Sequence, residues 1–138
     1  MEINKEFIPY EQALALKELG FDEPCLAVYQ DPDFLLIHNL LDSGWDREEM
    51  ISVTNHKYAS NGFVTTPLYQ QVFRWFRDKH QLDSSIALVA NGYGFYIHKN
   101  RNYTNKGESY GMYITYEEAE LECLVKLIDI VKKQNLKG

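Results

Sequence analysis

Four histidines, two cysteines and twenty carboxylates are the groups in this 138-residue chain that could do chemistry, and their spacing limits what that chemistry is. His38, His56, His80 and His98 stand in unrelated contexts, and no two are four residues apart on a helix as zinc ligands would be. Cys25 and Cys123 have no second Cys or His at metal-ligand spacing, so each reads as a small buried hydrophobe. Glu117, Glu118, Glu120 and Glu122 crowd one helix start but point in different helical directions, which makes them a solvated face. Asp31, Asp33 and the run from Asp42 to Asp46 do not follow a calcium loop. Asn91-Gly92-Tyr93-Gly94 lacks the Lys-Ser/Thr ending of a phosphate loop, and Ser84-Ser85 lacks a nucleophile elbow. The expectation is a protein with no catalytic residue, no metal site and no cofactor, in which an enzyme ranks below a binding protein.

Binding chemistry is better represented, because the charge is unevenly spread. The whole chain has 14 Lys/Arg against 20 Asp/Glu, a net of −6. Residues 1–66 hold four basic groups against twelve acidic, whereas residues 67–107 hold six against two. The acidic half offers Asp31, Asp33, Asp42, Asp46, Glu48 and Glu49 as a surface for a basic groove on another protein, where complementary charge speeds and orients association. The basic island offers Arg74, Arg77, Lys79, Lys99, Arg101 and Lys106 for phosphates, with Tyr96 and Tyr103 for stacking on bases. Tyr93, Tyr96, Tyr103, Tyr110 and Tyr113 fall in or beside strands, and simple alternation cannot send all of them to one core. An exposed Tyr-rich face suits protein recognition, unless a helix or the 38–66 segment covers it.

The elements that must position these groups follow from pattern and punctuation. Pro9, Glu11 and Gly20 bracket a helix near 10–19, with Ala13, Leu16 and Leu19 on its apolar side. Cys25 to Tyr29 and Phe34 to Ile37 read as strands joined by a turn at Asp31-Pro32-Asp33. Residues 38–66 read as irregular with one short strand. Thr66 as cap and Pro67 at the first position open a helix over 67–80, with Leu68, Val72, Trp75 and Phe76 at helical spacing. Asn91-Gly92 signals a two-residue turn in a hairpin over 86–97, which sets Leu88 opposite Phe95 and Ile86 opposite Ile97 on the core face. Tyr110 to Ile114 makes a third strand in this half of the chain. Thr115-Tyr116-Glu117-Glu118 is a capping box for a helix over 116–133, whose stripe is Leu121, Leu124, Val125, Ile128 and Val131. The expected fold is a single α+β domain over 1–138, an antiparallel sheet of about four to five strands packed with three helices.

Composition agrees: 45% hydrophobic and 25% charged residues are the balance of a globular domain. No apolar run approaches the roughly 18 residues that span a bilayer, and Met-Glu-Ile-Asn-Lys-Glu is not a signal peptide, so no membrane partner and a cytoplasmic setting are expected.

Three long stretches also resemble a family: Glu6 to Cys25 (EFIPYEQALALKELGFDEPC), Thr66 to Arg77 (TPLYQQVFRWFR) and Thr115 to Leu124 (TYEEAELECL). Together they look like small uncharacterised proteins carried by bacteriophages and integrated mobile elements. That family has no assigned activity, so the resemblance implies a setting inside a bacterial cell and no catalytic residue. In that setting the leading expectation is a non-catalytic accessory protein that binds, and inhibits, a host or defence protein such as a nuclease. A nucleic-acid-binding module using the basic island is the alternative, and oligomeric state is left open.

Overall fold

Helix ends carry the clearest local instructions, and the first helix follows them closely. Helix α1 runs Tyr10–Glu18, opened by Pro9, whose carbonyl accepts from the Ala13 amide at 2.9 Å. It stops at Gly20, which sits at φ +94. The Phe21 amide reaches back to the Leu16 carbonyl at 2.9 Å and the Gly20 amide to Lys17 at 3.1 Å, the paired bonds of a Schellman stop. Phe21 and Leu16 are both buried, supplying the apolar contact that accompanies such a stop.

The computed structural model describes residues 3–37, 54–55, 62–99 and 108–137. The chain divides into two units, residues 1–69 and 70–138. Within the described residues it is an α+β fold with three α-helices and two three-stranded antiparallel sheets, six strands in place of four to five.

Unit one holds a short 3-10 turn at Ile3–Glu6, α1, and strands β1 (Ala27–Asp31), β2 (Phe34–Ile37) and β3 (Val64–Thr66). Their order is β2-β1-β3. The β1–β2 hairpin forms where turn chemistry placed it, and the Asp33 amide donates to Asp31 Oδ1 at 2.8 Å. β3 is the one strand described in the 38–66 stretch. Its neighbour Asn55 is buried and bridges two elements: Nδ2 donates to the Phe21 carbonyl and Oδ1 accepts from the Thr65 amide, each at 2.9 Å. Thr66 does not cap a helix. Its hydroxyl donates to the Ile8 carbonyl at 2.6 Å, the Pro67 carbonyl accepts from the Ile8 amide, and Leu68 bridges Phe7. Extended pairing with the chain's beginning therefore holds 66–68 out of the helix, and α2 begins at Tyr69, running to His80.

Unit two holds the rest of α2, strands β4 (Leu82–Val89), β5 (Gly92–Lys99) and β6 (Glu108–Tyr113), and α3 (Tyr116–Lys137). The strands lie in that order, and α3 crosses all three. The hairpin is longer than 86–97, and its turn sits one residue earlier, which shifts every cross-strand partner by two: Val89 pairs with Gly92, so Ala90-Asn91 is the turn, with Ala90 at φ 27. Leu88 then faces Tyr93, and Ile86 faces Phe95. Phe95 and Ile97 are buried and Ile86 half-buried, but Leu88 at the tip is 75% exposed, against expectation. Gly92 is needed as a strand residue, because a Cβ there would run into the Tyr113 carbonyl oxygen.

Opposite Gly94, strand β6 carries a bulge, with the pairing shifting between Tyr93↔Tyr113 and Phe95↔Tyr110. Gly111 sits there at φ 63, the left-handed residue that this type of bulge requires. The extra residue turns both Tyr110 and Tyr113 toward Phe95, with ring centroids 5.0 and 6.1 Å away. On α3 the buried stripe is Ala119, Cys123, Leu124, Leu127, Ile128, Ile130 and Val131, leaving Leu121 half-buried and Val125 exposed.

Candidate anion-binding cleft

Lysines at positions 126, 133 and 137 of α3 recur at helical spacing, so one stripe of the helix presents all three. The stripe faces the end of the sheet where β5 finishes at Lys99 and β6 carries Tyr110. Lys99, Tyr110, Lys126, Asp129, Ile130, Lys133, Gln134 and Lys137 line a cleft of about 260 Å³. Four lysines thus face one carboxylate. Asp129 lies 3.0 Å from Lys133 Nζ and 3.9 Å from Lys126 Nζ. The Lys133 hydrogen bond, with the neighbouring lysine charges, holds its carboxyl below the ordinary value against a smaller opposing effect of desolvation. Lys126 also stands 5.2 Å from the Tyr110 ring centroid, a cation–π contact on a ring that Phe95 stacks. Among the described residues neither Lys99 nor Lys137 meets a carboxylate. The cleft can therefore hold negative charge that repeats along a line, with Tyr110 as its firm wall.

Of the basic island, Lys99 reaches this cleft. Arg74, Arg77 and Lys79 are exposed on α2, and the cleft is built without them. Tyr96 points to the sheet's other face, beside a shallow groove of about 270 Å³ shared with Val89, Gly94, Ser109 and Met112. Arg101, Tyr103 and Lys106 lie outside the described residues. Of the acidic set, Asp31 and Asp33 are exposed at the β1–β2 turn, while Asp42, Asp46, Glu48 and Glu49 lie outside the described residues. Sequence reasoning counted Tyr110 among the sheet tyrosines of a recognition face and named none of Lys126, Lys133 and Lys137 as a binding residue. The signal that could have found them was the seven- and eleven-residue spacing of lysines from Lys126, around Ile130.

Cys25 and Cys123 are free and buried, and burial pushes both thiols from 9.0 to about 12. Among the described residues no three of His, Cys, Asp and Glu gather where they could hold a metal ion, and no helix is long and apolar enough to cross a membrane. No protein-family profile, curated protein or solved structure matches the chain.

Proposed function

We propose that the protein binds nucleic acid through the lysine cleft of unit two, gripping the sugar-phosphate backbone without reading bases. The observation that carries this reading is the linear arrangement of Lys126, Lys133 and Lys137 beside Lys99, with one carboxylate among them. At the helical rise, Lys126 and Lys137 are separated by about 16 Å along the axis, a span suited to a repeating anion more than to one small ion. Lysine is a compact, flexible point charge, which suits phosphates and carries no base code. The acidic-surface reading has less support: its two described members sit in a turn where Asp31 already accepts from the Asp33 amide. A phage or mobile-element product would meet nucleic acid in its ordinary setting, so the family resemblance fits the same reading.

Fluorescence anisotropy of labelled single-stranded and duplex oligonucleotides tests it. Replacing Lys133 and Lys137 together with Glu is expected to weaken binding about tenfold or more and to flatten the single-strand salt slope by about 1.4. Replacing Arg74 and Arg77 with Glu is expected to change little. No binding by the unaltered protein at about 20 mM salt, where charges act over long range, would end the proposal.

A further inference from the structure

The outer strand of a sheet carries backbone N–H and C=O groups with no neighbour, and folded proteins guard it by shortness, a bulge, Lys or Pro. Among the described residues the two sheets end in four outer strands, β2, β3, β4 and β6. β2 and β3 are four and three residues long, and the β6 register is broken at its bulge. β4 has none of these guards. It runs eight residues, Leu82–Val89, pairs with β5 without a register shift, and contains no Lys, Arg or Pro. Its open groups follow from the turn. Val89 and Gly92 are opposed across two residues, which only a hydrogen-bonded pair allows, so the Val89 backbone points at β5. Alternation points Ala87 and Ser85 at β5 as well, and Ser84, Ile86 and Leu88 at the open edge. Among the described residues no backbone bond reaches those three from beyond the β4–β5 ladder. Leu82 faces the edge too but is buried, so the open stretch is residues 84–88.

We infer that this edge pairs with the same edge of a second copy of the chain, antiparallel about a two-fold axis at Ile86. In that register Ile86 meets the partner's Ile86, and Ser84 meets the partner's Leu88. Each opposed pair exchanges both its bonds, so every open N–H and C=O of the stretch is used. The pairing is also free of charge conflict. Asp83 is the one charged residue of β4, and the two copies of it lie six positions, about 20 Å, apart along the ladder. That is beyond the screening length of about 10 Å at 0.1 M salt. A two-fold pairing is closed: it consumes the unguarded edge of both copies and leaves the bulged β6 strands outermost in a six-stranded sheet. This closure favours a second copy over a strand of another protein, because residues 84–89 carry no charge by which to select a foreign strand. The pairing does not depend on the lysine cleft.

Sedimentation of the full chain tests this, with nuclease-treated protein so that no shared polyanion links two copies. The chain is expected to pass from monomer to dimer between about 10 µM and about 500 µM, the range of a small interface. Over that range hydrogen exchange is expected to slow about tenfold or more at the Ser84, Ile86 and Leu88 amides. The Ser85 and Ala87 amides, bonded to β5, are expected to be protected at both ends of it. Leu88→Pro removes an edge donor and no bond to β5, and is expected to weaken the dimer about tenfold or more. Ser85 is exposed, and Ser85→Lys sets two ammonium groups diagonally across the axis, which is expected to weaken the dimer about threefold or more. A mixture of the Ser85→Lys and Ser85→Glu chains is expected to associate more tightly than either alone, which a folding defect would not produce. A monomer at every concentration overturns the inference. So does a dimer that either variant leaves intact, a mixture no tighter than its components, or association that leaves the three edge amides unprotected.

Discussion

Gly20 and Gly92 show how one residue type serves two physical ends. Gly20 stands in open space at φ +94, so a side chain there costs conformational energy and no collision. Gly92 has ordinary strand torsions, and its cost is steric, because the β6 backbone passes where a Cβ would sit. Gly92→Ala is accordingly expected to lower stability by about 1–3 kcal/mol in urea unfolding, by forcing β5 and β6 apart. Ala90→Gly, two residues earlier in the turn, is expected to be neutral or to raise stability by up to about 1 kcal/mol, since Ala90 holds a left-handed torsion that glycine adopts freely. Asn55 makes a different point at the same scale. It satisfies a buried carbonyl and a buried amide from separate elements, yet nothing around it in the sequence marks it as anything but a polar loop residue. Burial is a property of the folded neighbourhood, which local pattern does not encode. Lys137 was hidden for a related reason: its partners in the cleft come from strands more than twenty residues upstream.

Elements were legible wherever their ends carried chemistry of their own. The capping box of α3 is present, with the Glu118 amide donating to Thr115 Oγ1 at 3.1 Å. The returning Glu118 carboxylate accepts from Ile114, one residue before the amide that the motif specifies. Thr115→Ala is expected to cost about 1 kcal/mol in thermal or urea unfolding, and Thr115→Ser to restore most of it. The three helices and the paired strands could be read because 3.6- and 2-residue periods repeat locally. The start of α2 and the hairpin register could not. Thr66-Pro67 is a good helix opening in isolation, but bonds to Ile8, some sixty residues away, override it. Asn91-Gly92 is a good turn in isolation, but the close approach of β6 claims that glycine for the strand. The five-tyrosine puzzle has the same kind of answer. Alternation fails at β6 because Gly111 inserts a residue, so Tyr110 and Tyr113 share a face despite their odd spacing.

At the scale of the whole molecule the two units differ in charge, −8 over residues 1–69 and +2 over residues 70–138. They share one feature, a buried thiol each. The folded state keeps Cys25 and Cys123 protonated to about 12, whereas an unfolded thiol ionises near 9.0. The unfolded chain therefore sheds protons first, and stability is fully present below about pH 9 and falls as pH rises toward 12. Tyr29, Tyr113 and Tyr116, also raised by burial, act in the same direction. Urea midpoints measured between about pH 8 and about pH 11 are expected to decline by up to about 1.4 kcal/mol per pH unit for each thiol. The Cys25→Ala/Cys123→Ala protein is expected to decline less steeply. The bulge in β6 has a bearing on the life of the protein in concentrated solution. β6 is the outer strand of its sheet, and a straight outer strand is a template on which other chains add to build fibres. The Gly111 insertion breaks the even ladder that such growth needs, so the distortion that sorts the tyrosines also keeps this edge from seeding amyloid.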